Sequence, residues 1–201
     1  MNKPNYDKQM CDIMEKAGAD GKGNKPRLLL HACCAPCSSA CLERLKDAFD
    51  ITVLFYNPNI GDEEYLKRKG ELIRLLNETG WADFEDCDHD ECEFFTAVKG
   101  LEDCKEGGER CNICFALRLE KTAKRAKSGN YDYFATTLTV SPLKNAEAIN
   151  CIGFELAEKY GVKWLPTDFK KRGGYLRSIQ LSEQYKLYRQ NFCGCVFSLS
   201  R

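Results

Sequence analysis

Short apolar runs recurring between stretches of helical periodicity constrain this chain more than any other feature. Leu28, Leu29 and Leu30 mark a first strand over residues 27–31, and residues 51–56 form an unbroken apolar run of the kind a strand buried on both faces requires. Residues 81–84, 131–139 and 162–165 supply three more candidates. Between them lie helical patterns: Leu42, Leu45 and Phe49 over about 39–49; Tyr65, Leu66, Leu72, Ile73 and Leu76 after an Asp62 cap and before a Gly80 stop; and Ile149, Ile152, Leu156 and Tyr160 before Gly161. A weaker helix is predicted around 94–101, a long basic one from Cys111 to about Lys127, and a last one around 182–190.

Strands alternating with helices predict an α/β fold: a doubly wound, mostly parallel five-stranded sheet, Rossmann-like and of the HUP, nucleotide-hydrolase-like type, with helices on both faces. In such sheets the ligand lies beyond the carboxyl ends of the strands. The unusual residues of this chain fall there in linear order, at 31–37, 57–59, 136–141 and 168–174. A length of 201 residues suits one well-cored domain, here 26–201. Residues 1–25, with a short helix around 11–16 and a Gly-Ala-Asp-Gly-Lys-Gly end, read as a polar tail and linker.

The chemistry concentrates in His31-Ala32-Cys33-Cys34-Ala35-Pro36-Cys37-Ser38-Ser39-Ala40-Cys41, four thiols within nine residues on a strand-to-helix turn. Ser38 or Ser39 is available as helix cap and Pro36 fixes the start of the helix. The positive end of the helix dipole favours thiolates there. Thirteen cysteines in a secreted chain would suggest a disulfide scaffold, but residues 1–25 lack a signal-peptide core and no apolar run approaches membrane-spanning length. The expectation is a soluble, cytoplasmic, monomeric protein whose thiols bind metal or do redox work. Cys11, Cys41, Cys87, Cys92, Cys104 and Cys151 stand alone and read as small buried hydrophobes.

Cys33-Cys34 with Cys111-x-x-Cys114 supplies four thiolates from two distant segments, the donor set of a tetrahedral zinc site or an iron–sulfur cluster. Adjacent cysteines strain to reach one small ion and suit two corners of a larger cluster, which favours iron–sulfur over a zinc knuckle. A thioredoxin-like exchange pair at Cys34-x-x-Cys37 lacks the hairpin that fold needs. Cys193-Gly194-Cys195 is either a small strained disulfide, readily reduced, or two unpaired thiols. Charge is uneven: residues 81–110 hold eleven acids and three bases, and residues 161–201 eight bases and two acids, so a polyanion would meet the C-terminal block.

Several ordered motifs carry a resemblance. His31-Ala-Cys-Cys-Ala-Pro-Cys37, Tyr56-Asn-Pro-Asn-Ile60, Glu64-Tyr65 with Arg68, Gly108-Glu-Arg-Cys-x-x-Cys114, Thr136-Thr-Leu-Thr-Val-Ser-Pro142, Asp168-Phe-Lys-Lys171 and Tyr188-Arg-Gln-Asn-Phe-Cys-Gly-Cys195 together resemble the cobalamin-independent epoxyqueuosine reductases, the QueH type, from about Arg27 to the C-terminus. One departure is Phe192, where the family pattern has Tyr, so a hydroxyl there is not required.

The resemblance implies an oxidoreductase that removes the epoxide oxygen of epoxyqueuosine in the anticodon of transfer RNA, the final step of queuosine biosynthesis. It implies a [4Fe-4S] cluster on Cys33, Cys34, Cys111 and Cys114, and a redox-active pair, Cys193 and Cys195. It also implies an adjacent mononuclear iron, for which Cys37 and an acid, Asp90 or Asp168, are the candidate ligands, and an external electron donor. Asn57, Asn59 and Ser141 beyond the strands, with Arg118, Lys170, Lys171, Tyr188 and Arg189, are the candidate substrate and RNA contacts; Lys121, Lys124, Arg125 and Arg172 add charge and Tyr175 a second stacking ring. Two rivals from other classes are a transfer-RNA thiolation enzyme, whose Ser-Gly-Gly-x-Asp-Ser type phosphate loop is missing after the first strand, and a zinc-stabilised, non-catalytic RNA-binding module.

Overall fold

The structure, a computed structural model, describes residues 3–19 and 25–198. Its sheet is built from β1 (Arg27–His31), β2 (Asp50–Phe55), β3 (Asp83–Asp86), β4 (Tyr133–Thr136) and β5 (Lys163–Trp164), all parallel, in the order β3-β2-β1-β4-β5. The central strand explains its own composition: Leu28, Leu29 and Leu30 are fully buried because both faces of β1 are covered. Chain direction across the sheet reverses beside β1, and the switch point lies at the carboxyl ends of β1 and β4.

The helices are α1 (Tyr6–Ala19), α2 (Ala35–Leu45), α3 (Asp62–Thr79), α4 (Glu91–Ala97), α5 (Glu109–Ser128), α6 (Ala146–Tyr160) and α7 (Gly174–Gln184). α2 packs with α3 and α7, and α5 packs with α6. Right-handed crossovers in this strand order put those two groups on opposite faces. Gly80 and Gly161 adopt left-handed conformations, with φ of 62° and 64°, and close α3 and α6 where the sequence placed the stops.

Several boundaries differ from the sequence reading for local reasons. β4 is shorter than residues 131–139, because from Thr137 to Val140 the chain turns into a 3-10 helix once the Thr136 hydroxyl takes the Leu138 N–H. α4 starts earlier than 94, with Asp90 as its cap. α3 starts after Gly61, so Asp62 lies in its first turn and does not cap it. α7 begins at Gly174, well before 182: Arg172 and Gly173 turn the chain through positive φ directly into the helix. Of the stretch read as a polar tail, residues 6–19 are a helix longer than the one expected at 11–16. Met10 inserts fully into the core, and Asp7 holds Arg44 at 2.6 Å and Arg172 at 2.8 Å. Residues 20–24, expected as linker, lie outside the described residues.

Candidate metal and thiol site

The turn after β1 gathers three sulfurs. Ala32 keeps the strand register by bonding Leu54 O, and Cys34, fully extended, becomes the cap of α2: its sulfur takes the Cys37 N–H at 3.3 Å. Ala35 and Pro36 then fill the first turn, where no N–H is needed. Ser38 and Ser39, the caps expected from sequence, instead donate back to the carbonyls of Cys34 and Pro36 inside that turn. The helix thus starts four residues early, and the sulfurs of Cys33, Cys34 and Cys37 lie within 4.8 Å of one another.

Electrostatics singles out one of the three. Hydrogen bonds from Cys34 and Cys37 hold the Cys33 thiol well below its usual range against the cost of burial, with Arg118 adding to the effect. Burial pushes Cys34 up, and the Cys33 sulfur pushes Cys37 up, so Cys33 is the most acidic thiol of the triad. Burial raises Cys41 as well, and its sulfur rests on Cys37 O at 3.2 Å, as an inert packing residue does. His31 is fully buried and is pushed down to about 4 by burial and by Arg118. Its ring bridges Thr136 Oγ1 and Tyr56 O, both at 2.9 Å, and so ties the ends of β1, β2 and β4 together.

The second arm comes from α5. Cys114 is buried, and one turn later Arg118, 1% exposed, donates to Cys114 Sγ at 3.1 Å and to Asn57 Oδ1 at 3.2 Å. The amide of Asn57 continues to Ala32 O at 2.9 Å, so a bonded path runs from Cys114 to the residue before Cys33. Cys111 is half-buried and accepts the Gly107 N–H at 3.2 Å. Cys37, expected beside a separate iron, is the third member of the tight sulfur group, to which Cys111 and Cys114 do not belong.

The third arm is the segment before the C-terminus. Cys195 bridges Ile60 at the end of the β2 loop. Arg68, 1% exposed, is paired with Glu64 at 2.6 Å and donates to Cys193 O at 3.1 Å and Phe192 O at 3.3 Å. Gly194 has a φ of 93°, and a Cβ there would sit 2.9 Å from Ile60 Cγ1 and 3.0 Å from Arg68 Nη1, so glycine is demanded twice. Cys193 and Cys195 are free thiols. The Cys195 sulfur shares an apolar cluster with Phe94, Val98 and Cys114, and burial pushes it up to about 11. Cys193 meets the ammonium of Lys144 at 3.1 Å. Cys33, Cys37, Arg118, Lys144, Arg189 and Cys193 line one cavity of about 800 Å³, which Ser141 also borders.

Other expected site residues are employed differently. Arg118 is enclosed by the site and absent from the outer surface. Asp90 is exposed and spends its carboxylate on the Cys92 N–H as cap of α4, away from the cavity lining. Asp168 pairs with Lys170 at 3.0 Å and is likewise not among the cavity-lining residues. The Tyr188 hydroxyl donates to Glu64 at 3.1 Å and its ring carries Lys67, which makes it a strut for Arg68. Arg189 lies 5.5 Å from the Tyr175 ring at the cavity wall. Arg125, Lys124 and Arg172 pair with Glu85, Glu120 and Asp7; Lys171 is exposed. Asn59 is buried with both amide atoms lacking a hydrogen-bond partner among the described residues. Sequence reasoning missed Lys144, whose one signal is its place two residues past the Ser141-Pro142 motif.

A family model described as Epoxyqueuosine reductase QueH matches residues 28–201. The chain is 43% identical over 205 residues to an epoxyqueuosine reductase QueH of Streptococcus pyogenes serotype M1, covering 98% of this chain and 78% of the relative. It is 43% identical over 204 residues to that of Staphylococcus epidermidis, covering 98% and 85%. To that of Thermotoga maritima it is 39% identical over 175 residues, covering 86% and 90%. Among solved structures it is similar to the U34-tRNA thiolase NcsA from Methanococcus maripaludis with its [4Fe-4S] cluster, with a TM-score of 0.59 and 14% identity over 95% of this chain and 67% of that one. At that identity the likeness is one of fold.

Proposed function

Since the chain belongs to the epoxyqueuosine reductase QueH family, we propose that it deoxygenates epoxyqueuosine in the transfer-RNA anticodon, the final step to queuosine, at the cavity where its cysteines converge. It is an oxidoreductase of transfer-RNA modification. The observation that carries the finer reading is that Cys33 and Cys37, from the buried triad, and Cys193, from the C-terminal segment, line the same cavity. Metal-type donors and exchange-type thiols thus face one space large enough for a nucleoside.

The donor set fits an iron–sulfur group. Soft thiolates are its ligands, Cys33 and Cys34 lie together at a helix N-terminus, and Arg118, bonded to Cys114 Sγ and through Asn57 to Ala32 O, ties the second arm to the first. In this reading Cys33, Cys34, Cys111 and Cys114 would hold a [4Fe-4S] cluster, and Cys37 would be a protein ligand of an adjacent iron, with Asp90 or Asp168 as the candidate acid beside it. When bound, that iron–sulfur group supplies single electrons and a Lewis acid for oxygen. Likeness of fold to a transfer-RNA thiolase with its own [4Fe-4S] cluster agrees with such a group on this scaffold.

The chain's own residues do the rest. Arg68, Glu64 and Tyr188 dock the 192–195 segment against the β2 loop, which brings Cys193 to the cavity. Tyr175, 40% exposed and backed by Arg189, is the ring on which an unstacked base is received, in preference to Tyr188, which carries Lys67 on its face. Lys171 contributes to phosphate binding, and Asn59 offers an unspent amide to a polar group. An external reductant reopens the oxidised pair.

The test is conversion. Protein purified without oxygen and supplied with iron and sulfide is incubated with transfer RNA carrying epoxyqueuosine and a chemical reductant, and the digested nucleosides are weighed by mass spectrometry. Queuosine formed by a brown protein is the expected result. Unchanged epoxyqueuosine with an iron-loaded protein, or a colourless protein holding zinc alone, would overturn the reading in favour of a non-catalytic module.

A further inference from the structure

Lys144 is the most enclosed lysine at the cavity. Its side chain is 9% exposed, and its ammonium lies 3.1 Å from Cys193 Sγ and 3.3 Å from Glu106 Oε1, beneath the ring of Phe115. A buried ammonium is tolerated only where acceptors meet its charge. Burial works against the charge here, yet the Cys193 sulfur and Glu106 outweigh it and hold the proton more firmly than on a free lysine. The main chain of Cys193 is fixed from the other side, by Arg68 on its carbonyl. Sulfur and backbone of this residue are therefore both pinned by cations, while Cys195 has its sulfur in an apolar cluster with Phe94 and Val98.

We propose that Lys144 is the positioning residue that makes Cys193 the reacting thiol of the pair and leaves Cys195 to close the disulfide. The proposal rests on the redox reading of the pair given above. In the overall step a sulfur–sulfur bond forms between Cys193 and Cys195, and each sulfur gives up its hydrogen. The electron pair passes to the epoxide, both of its carbon–oxygen bonds break, and the oxygen leaves as water with the two protons. Epoxide plus dithiol becomes alkene, disulfide and water. Lys144 takes no net part in that balance; it holds the Cys193 sulfur toward the cavity and offsets the negative charge as the proton departs.

Alkylation by iodoacetamide reads this directly. Pre-reduced, iron-loaded protein is treated without oxygen and the rate at each cysteine is followed by peptide mass spectrometry. Cys193 should react about tenfold faster than Cys195, and Lys144→Met should slow Cys193 about tenfold while leaving Cys195 and the iron content alone. Lys144→Arg should restore most of the rate. Glu106→Gln should raise the Cys193 rate, because the ammonium is then left more fully to the sulfur. A Cys193 rate within about twofold of the parent in Lys144→Met, or a fall in Glu106→Gln, would overturn the proposal. Turnover by Cys193→Ser judges the redox reading separately: parent-like turnover there would remove the pair from the reaction, whatever the alkylation rates say of Lys144.

Discussion

The two thiol groups that meet at the cavity are held by opposite means. Cys33, Cys34 and Cys37 lie at and just before the start of α2, directly beyond the central strand, and their positions follow from backbone that the core fixes on both sides. Cys193 and Cys195 lie in a segment of irregular chain strapped down by side chains, through Arg68 to two carbonyls, Lys144 to one sulfur and a single bridge to Ile60. Sulfurs fixed by an element are pre-organised to keep a metal. Sulfurs held by a few replaceable bonds can part and rejoin, since local opening costs less than unfolding the core. On the proposed reading, the difference suits the first group to hold a metal and the second to exchange.

The comparison breaks most severely at the metal side. Cys114→Ser or Cys34→Ser should lose most bound iron and all reductase activity, because a hard hydroxyl replaces a soft thiolate. Iron analysis and conversion assays check it; full iron retention in both variants would remove them from the ligand set.

Arg68→Met strikes the strap instead. It leaves the part-buried Glu64 with the Tyr188 hydroxyl but without its cation and frees the carbonyls of Phe192 and Cys193, at a cost of about 3 kcal/mol in denaturant unfolding. Turnover should fall at least about tenfold with iron unchanged, in contrast to the cysteine ligands. Gly194→Ala acts on the same segment more gently. A left-handed alanine beside Ile60 should weaken docking by about 1–3 kcal/mol, seen as faster hydrogen exchange at the bonded amides of the segment and lower turnover, again with full iron. Smallest is Lys171→Ala, which removes one exposed charge and should shallow the slope of log affinity for the transfer RNA against log salt by about 0.7–0.9. An unchanged slope would take Lys171 off the RNA surface.

How much of this was legible depended on distance along the chain. Leu28 to Leu30 and residues 51–56 announced buried parallel strands, and Cys33-Cys34 with Cys111-x-x-Cys114 announced thiol chemistry, because each of these signals is complete within a few residues. Where the fold was misread, a local competitor won. Cys34 rather than Ser38 or Ser39 caps α2, because its sulfur reaches the Cys37 N–H first. α7 begins at Gly174, where a Gly-rich stretch reads as loop.

Roles decided by distant partners were hidden. Arg118 looks like surface charge until Asn57, 61 residues away, takes its donor, and nothing near Tyr188 in sequence shows that its hydroxyl meets Glu64. Lys144 and Cys193 meet across 49 residues, and no spacing rule joins them.

The central claim is that the two groups divide the work, and Cys195→Ser tests it most directly. Iron content, colour and product per enzyme are measured on the same anaerobic sample, with transfer RNA in excess and reductant present. The account predicts iron and colour equal to the parent and product that stops at about one equivalent at most, since without the Cys195 sulfur no disulfide can close and the pair cannot deliver electrons turn after turn. Multiple turnover at the parent rate with iron intact would contradict it, and electrons would then have to enter without the C-terminal pair.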